Sequence, residues 1–382
     1  MMENESVYAV LDIGETNTKL VLGVVHNEKL NICGTFVAPT KGIEDGDISS
    51  KSDLQATISS LISKAQAKGF EINEVILIMP NSNLCVYRKK ATNQVQSPNN
   101  VVSSKDIELL KRACTRHQIP ENETVVAIYP IKYLLDDSST NKEEPIGMKG
   151  GYVTLDAFVV TLPTGVARGY VDALQDMGIV VIDAVIAPLA NATLLLRNQE
   201  FKTGAVILDM GGKHNNVSLF YDFLFCANKQ GCLGGEYIRD CIGKNFDLDK
   251  KTSEYVKVTY GSALVSDASN INVFKHPENN RLIKESEIVT IIESALDYEI
   301  KDIVKGIEFL NVKKTDLPII ITGGTANMEN ICEKLEKSLN QKCYVRTFNR
   351  IGGRDSMYNT AIGGLLNHLA RNGYIDLSLV QI

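Results

Sequence analysis

Two short segments of the chain place a carboxylate before a glycine turn, directly after an apolar run. The first spans residues 12–19 and begins with Asp12, and the second spans residues 209–216 and begins with Asp209. A carboxylate repels phosphate but can hold hydrated Mg²⁺, which needs only one or two carboxylate ligands. Glycine allows a tight turn in which backbone N–H groups point at phosphate oxygens. A single Asp-x-Gly turn is most often a plain turn, but the pair predicts a magnesium and phosphate site with Asp12 and Asp209 as metal ligands.

The residues predicted to contact the phosphates lie in these two turns. Thr16 adds a hydroxyl donor and Lys19 a positive charge to the first turn. The full predicted set is Gly14, Glu15, Thr16, Asn17 and Lys19 in the first turn, and Gly211, Gly212, Lys213, His214 and Asn215 in the second. The alternative for His214 is a solvated loop residue without a ligand.

A third glycine turn follows the apolar run at residues 318–321. The predicted ligand-contacting residues of this turn are Gly323, Gly324, Thr325 and Asn327. Paired glycines after a buried strand let a flat ligand or a phosphate approach the backbone closely. A helix predicted over residues 328–339 would direct its positive N-terminal end toward an anion. The alternative is the plain start of a helix, in which the glycines only relieve crowding.

Two smaller features complete the predicted site. Gly234, Gly235 and Glu236 precede a stretch with helical apolar spacing. Glu254 and Lys257 stand three residues apart, which places them on one helix face, where they could bind ribose hydroxyls. The alternative for this last pair is a solvated ion pair.

The elements around the first two turns look like two copies of one unit. In each copy an apolar strand leads through Asp-x-Gly into two further strands that are joined by a turn. This weak internal repeat predicts two related α/β lobes that face each other. Apolar spacing also predicts helices over residues 53–69 and 287–310, the latter with Ser286 as its N-cap. Residues 136–144 are predicted to form a polar loop.

Composition excludes several classes of protein. The 382 residues carry a net charge of −6, which gives no reason to expect nucleic-acid binding. No apolar run reaches the ~18 residues of a membrane span. The sequence lacks a Walker A motif and a G-x-G-x-x-G motif, and its His and Cys residues have no zinc-site spacing.

The order of the motifs resembles that of the actin-like ATPase superfamily. Its two phosphate loops match residues 12–19 and 209–216, and its adenosine motif matches residues 320–326. Within the superfamily, the FtsA family of bacterial cell-division proteins resembles the whole chain in order. Residues 144–150 resemble its Pro-(Val/Ile)-Gly-Met-x-Gly segment, and residues 254–261 match its Glu-x-x-Lys-x-x-(Tyr/His)-Gly segment.

The resemblance implies an α/β, actin-like (ribonuclease H-like) two-lobed fold with an inserted 1C subdomain of the SHS2 type. Domain IA would comprise residues 1–82, 164–191 and 346–382, and domain 1C residues 83–163. Domain IIA would comprise residues 192–235 and 305–345, and domain IIB residues 236–304.

The resemblance also implies a function. Proteins of the FtsA family bind ATP with Mg²⁺, form filaments and link FtsZ to the membrane. The family places the FtsZ C-terminal tail on domain IIB and other division proteins on domain 1C. The expected location is cytoplasmic, with peripheral contact at the inner face of the cell membrane. The alternatives are a PilM-like pilus-assembly adaptor, a ParM-like segregation filament and, less favoured, a small-molecule kinase of the same fold.

Departures from the family pattern concern the phosphate loops and the C-terminus. The second loop of the family reads Gly-Gly-Gly-Thr-Thr-Asp, whereas residues 211–216 lack both threonines, and Glu15 replaces a usual Thr or Ser. Ala187 stands where related ATPases polarise the attacking water, which predicts weak or absent hydrolysis. Residues 374–382 contain no Lys or Arg, so we expect either that a membrane-binding helix has been removed or that membrane contact is made in another way.

Overall fold

The computed structural model describes residues 6–97, 99–116, 119–136, 139–141, 143–310 and 317–377. The strands are β1 (Val7–Ile13), β2 (Asn17–His26), β3 (Lys29–Pro39), β4 (Ile43–Glu44), β5 (Asp47–Ile48), β6 (Glu74–Met79), β7 (Cys85–Gln94), β8 (Glu123–Leu135), β9 (Ser139–Asn141), β10 (Tyr152–Pro163), β11 (Val180–Ile186), β12 (Ala205–Met210), β13 (Asn215–Tyr221), β14 (Leu224–Gln230), β15 (Asn272–Lys275), β16 (Leu282–Lys284), β17 (Ile319–Thr322) and β18 (Cys343–Val345). The helices are α1 (Lys51–Gln66), α2 (Ser104–Thr115), α3 (Thr164–Gln175), α4 (Ala187–Leu195), α5 (Asn198–Thr203), α6 (Gly235–Phe246), α7 (Lys250–Tyr260), α8 (Glu285–Phe309), α9 (Ile331–Leu339) and α10 (Asn359–Arg371).

Two five-stranded sheets share one topology. The first sheet has the order β11-β6-β1-β2-β3 and the second, read from the opposite edge, β18-β17-β12-β13-β14. In both sheets the central strand is antiparallel to the strand that follows it and parallel to its other neighbour. The register also repeats, because Asp12 pairs with Lys19 in one sheet and Asp209 with Asn216 in the other. The predicted repeat and the two facing α/β lobes are confirmed.

Each lobe has its own apolar core, and the two cores are continuous at one face of the second sheet. On β12, Ile207 packs with the first-lobe core, whereas Val206 and Leu208 pack in the second-lobe core. This division follows from strand geometry, which turns successive side chains to opposite faces. The C-terminal helix α10 packs against α4 and the first sheet, so the end of the described chain returns to the first lobe.

A third unit is inserted between β6 and α3. It consists of a four-stranded antiparallel sheet of order β7-β10-β8-β9 and helix α2, with a separate core. Ser103 caps α2 as the N-cap of a capping box with Asp106. The predicted polar loop at residues 136–144 is wrong in part, because residues 139–141 form β9 and pair with β8. Residues 137, 138 and 142 lie outside the described part.

The long amphipathic helix of the second lobe begins two residues earlier than predicted. Lys284 is the N-cap of α8, and its backbone N–H donates to Glu287 Oε2 at 2.9 Å. The Ser286 hydroxyl instead donates to Asn270 Oδ1, so the prediction of Ser286 as N-cap is wrong. Within the described residues, the structure contains no helix that is both long enough and apolar enough to cross a membrane.

Candidate ligand-binding cleft between the lobes

A cleft of about 680 Å³ lies between the two lobes and collects the predicted turns. The predicted residues that line it are Asp12, Gly14, Glu15, Thr16, Asn17, Lys19, Asp209, Gly211, Gly212, Lys213, His214, Gly235, Glu236, Glu254, Lys257, Gly323, Gly324, Thr325 and Asn327. The β1–β2 turn supplies one wall and the β12–β13 turn the other. The parallel neighbours β6 and β17 end at the same edges, where open α/β sheets place ligands.

Two predicted site residues do not line the cleft. Asn215 is buried behind the second turn, where its Nδ2 donates to Glu299 Oε1 at 2.7 Å. Its neighbour Asn216 lines the cleft instead, because adjacent side chains of β13 point to opposite faces. Gly234 lies against the second turn, where a Cβ would come within 2.6 Å of the Gly212 carbonyl oxygen. Both residues support the second turn from outside the cleft.

Both predicted metal-binding carboxylates face this cleft, in different electrostatic environments. Asp12 Oδ2 accepts from Lys19 Nζ at 2.8 Å. Burial raises the pKa of Asp209 to about 6, with Lys19 opposing and Asp12 adding to that rise. Asn191 Nδ2 also donates to Asp209 Oδ2 at 3.3 Å. Asp12 and Asp209 can together carry more negative charge than Lys19 neutralises. Two carboxylates are suitable ligands for a hard cation such as Mg²⁺.

The two phosphate-loop candidates contact each other across the cleft. Thr16 Oγ1 donates to Glu236 Oε1 at 2.8 Å, which joins the first lobe to the start of α6. A Cβ at Gly212 would lie only 2.1 Å from Thr16 Oγ1, so a glycine is required at this position. The backbone N–H groups of Gly235 and Glu236 bind the carbonyl oxygens of Gly211 and Gly212. The second turn is thereby fixed to α6.

The third turn presents an open glycine beside a tightly packed one. Gly323 has φ +92°, and a Cβ there would come within 2.5 Å of the Met210 carbonyl oxygen. A Cβ added at Gly324 would meet no described atom within 4 Å, so a flat ligand has room to approach. The predicted helix over residues 328–339 is shorter than expected: a 3₁₀ turn spans Gly324–Asn327 and α9 begins at Ile331. The N-terminus of α9 is therefore not at the glycine turn.

Glu254 and Lys257 form an ion pair with each other, and both side chains also line the cleft. Lys257 Nζ lies 2.8 Å from Glu254 Oε2 and donates to the Gly235 carbonyl oxygen at 3.0 Å. The pair therefore lies beside the Gly234–Gly235 turn, with the Lys257 side chain largely buried. A ribose at this position would meet one acceptor and one donor.

Several polar side chains of the cleft were not predicted from the sequence, among them Ser82 and Arg239. Ser82 Oγ, just beyond β6, donates to Glu15 Oε1 at 2.7 Å. Arg239 lies one helical turn after Glu236 on α6 and ion-pairs with Glu236 at 3.3 Å and with Asp240 at 2.8 Å. The end of a parallel strand and the i,i+3 spacing from Glu236 were the signals that could have found them. Ala187 also lines the cleft, without a polar side chain.

Sequence comparison connects this architecture to one family. A family model described as the SHS2 domain inserted in FtsA matches residues 86–161. A cell division protein FtsA of Bacillus subtilis (strain 168) is 25% identical over 384 residues, covering 98% of this chain and 86% of the relative. A cell division protein FtsA of Streptococcus pneumoniae serotype 2 is 27% identical over 369 residues, covering 94% and 79%. The chain is therefore similar to cell division proteins FtsA over nearly its whole length, and its inserted unit matches the SHS2 domain of FtsA.

Solved structures confirm the actin-like fold of this protein. The PilM–PilN type IV pilus biogenesis complex gives a TM-score of 0.67 at 17% identity, covering 94% of this chain and 98% of the matched chain. MreB5 of Spiroplasma citri bound to ADP gives a TM-score of 0.56 at 14% identity, covering 97% of both chains. The predicted two-lobed fold with an inserted SHS2-type subdomain is confirmed.

Proposed function

We propose that this protein is an ATP-binding, filament-forming adaptor that links FtsZ to the membrane and recruits other proteins during bacterial cell division. The single observation on which the proposal depends is that the two repeated Asp-x-Gly turns line one cleft between topologically matched lobes. The FtsA relatives support the division role, because they are named as cell division proteins.

In this proposal the cleft holds ATP with Mg²⁺. Asp12 and Asp209 would hold the metal ion, and the backbone N–H groups of the two glycine turns would bind phosphate oxygens. The side chains of Glu254 and Lys257 would bind the ribose. The adenine would lie on the open backbone at Gly324. When bound, Mg²⁺ would neutralise negative charge on the phosphates. Ala187 has no polar group that could orient a water molecule for hydrolysis.

The domains proposed as 1C and IIB, residues 83–163 and 236–304, expose apolar side chains suited to partner binding. Ile146, Met148 and Tyr152 are exposed on the inserted unit, in and beside the Gly-Met segment. Ile271 and Leu282 are exposed at the small β15–β16 sheet. We propose that other division proteins bind the first surface and the FtsZ C-terminal tail the second.

The experiment is sedimentation of the protein with ATP, FtsZ polymers and lipid vesicles, each omitted in turn. We expect the protein to pellet with FtsZ, and the double variant Ile271→Glu, Leu282→Glu to remain largely in the supernatant. Val180→Glu is the matched control, because Val180 is similarly exposed but lies at the edge of the first sheet. Phosphate release in the same mixtures should stay below ~1 s⁻¹.

Two results would contradict the proposal, the first its adaptor function and the second its FtsZ-binding surface. One is a protein that stays in the supernatant under every condition. The other is equal pelleting of the wild type, the double variant and the control, which would remove domain IIB as the FtsZ-binding surface.

A further inference from the structure

Two departures from the family pattern meet in space. Glu15 belongs to the first phosphate-loop candidate and His214 to the second, and the His214 Nε2 atom lies 3.6 Å from Glu15 Oε2. Asp45, in the turn between β4 and β5, places its Oδ1 at 4.0 Å from the same nitrogen. One ligand atom from each of the three side chains lies within 4.8 Å of the others. Three segments that are far apart in sequence, from both lobes, thus form one cluster.

The hydrogen bond at the other ring nitrogen fixes the chemistry of His214. Its Nδ1 lies 3.1 Å from the Gly231 carbonyl oxygen, which can only accept a hydrogen bond, so Nδ1 must be the protonated nitrogen. In the neutral ring, Nε2 then carries a lone pair, and this lone pair faces the carboxylate of Glu15. Among the described residues, both Glu15 Oε2 and His214 Nε2 are buried and lack a hydrogen-bond partner. Two buried acceptors that face each other are stabilised by a positive charge between them, which either a proton on Nε2 or a metal ion can supply.

The surroundings hold both ligand atoms in place. The Ser82 hydroxyl donates a hydrogen bond to Glu15 Oε1, so Oε2 is the oxygen that faces the cluster. The Gly231 carbonyl is the kind of outer partner that orients a metal-binding histidine. Lys213 Nζ is a competing cation, but it lies 3.7 Å from Glu15 Oε2, beyond hydrogen-bond distance. Asp45 is largely exposed, so its side chain is free to close over a bound ion.

We propose that Glu15, Asp45 and His214 form a binding site for a transition-metal dication of the Zn²⁺ type, which would connect the two lobes at the rim of the cleft. An imidazole with two carboxylates suits Zn²⁺, whereas Mg²⁺ prefers oxygen ligands alone. Ligands at about 2.0–2.1 Å from a tetrahedral Zn²⁺ lie roughly 3.4 Å apart, so small side-chain movements close the observed spacings. The site is distinct from Asp12 and Asp209.

The test is isothermal titration of the nucleotide-free full chain with zinc sulfate. We expect one Zn²⁺ per chain, and His214→Gln and Asp45→Asn should each weaken binding by at least about tenfold. His26→Gln is the matched control, because His26 lies exposed at the end of β2, and it should bind as the wild type does. We expect Asp45→Asn to fold normally, because the Asp45 side chain is exposed and Asn tolerates the local φ of +50°. Weaker binding by this variant would therefore report loss of a ligand.

Co²⁺ adds a spectroscopic measurement that does not depend on affinity. The wild type should give the intense visible absorption of tetrahedral Co²⁺, and His214→Gln should lose it. Equal Zn²⁺ affinity in the wild type and both ligand variants would overturn the proposal, as would an unchanged Co²⁺ spectrum in His214→Gln. Because no nucleotide is present, a failure of ATP binding would leave this result unaffected.

Discussion

Asp209 costs the ligand-free protein stability, although we propose it as a ligand of Mg²⁺. Its side chain is partly exposed to the cleft, and desolvation of its carboxylate raises its pKa to about 6 against an ordinary value near 3.8. The folded state therefore holds a proton that the unfolded chain has already lost, and stability falls as the pH rises from about 4 to 6. A bound Mg²⁺ would reverse this balance by stabilising the charged form.

We predict opposite effects for Asp209→Asn on stability and on binding. Above pH 6 the variant should raise the free energy of unfolding of the empty protein by on the order of 2–3 kcal/mol. It should also weaken Mg²⁺-dependent nucleotide binding, because the proposed metal ligand is lost. Thermal unfolding at pH 7.5 and equilibrium binding with and without Mg²⁺ measure the two effects.

Asp12→Asn is the comparison variant for this prediction. It removes the carboxylate that accepts from Lys19 Nζ, so the melting temperature should fall. A higher melting temperature for both variants, or a lower one for both, would contradict the assigned roles of the two carboxylates.

Helix α8 has an apolar face that the sequence predicted and a buried glutamate, Glu299, that it did not predict. Its apolar face was evident from residues such as Ile288, Ile292 and Ile303, which are all buried in the second-lobe core. Glu299 lies on the buried side as well, fully inaccessible, and accepts a hydrogen bond from Asn215. Burial raises the pKa of Glu299 to about 7, with the Asn215 hydrogen bond opposing that rise.

We predict that Glu299→Gln stabilises the protein above pH 7. Because the pKa of the folded state lies above the ordinary value of 4.5, the wild type loses stability as the pH rises from 4.5 to about 7. The amide keeps the oxygen that accepts from Asn215, so the variant should gain on the order of 3 kcal/mol above this window and nothing below it. Urea unfolding at pH 4.5 and at pH 8 gives the comparison, and an equal stability difference at both values would contradict the argument.

Local sequence signals defined element types better than element ends. The Ser103 cap of α2 was predictable because a capping box is a local pattern of four residues. The cap of α8 was not, because Ser286 had a competing partner in Asn270 and Glu287 could bind the backbone of Lys284. Asn215 was assigned to the cleft for a similar reason: only the start of β13 decides which of two adjacent side chains faces inward.

For the whole molecule, the repeat of strand, Asp-x-Gly and strand was sufficient to predict two facing lobes. The paired Asp-x-Gly turns also predicted a magnesium and phosphate site. The contacts across the cleft were not predictable, because Thr16 and Glu236, or Glu15 and His214, come from distant segments whose approach depends on how the lobes pack. The same limit applies to the cluster at Glu15, Asp45 and His214, which has no spacing signature in the sequence.

The central claim, that the lobes clamp a magnesium-bound adenine nucleotide, is tested most directly by equilibrium titration with ATP and Mg²⁺. Gly324→Trp should fill the open adenine position without disturbing the fold, since the described structure leaves space there. Gly165→Trp is the matched control, because Gly165 lies at an exposed position of α3 with equal space and outside the cleft. We predict that the wild type and Gly165→Trp bind ATP alike, and that Gly324→Trp binds at least tenfold more weakly, a loss of about 1.4 kcal/mol or more. Equal affinity in all three proteins, or a wild type that does not bind ATP with Mg²⁺, would contradict the account.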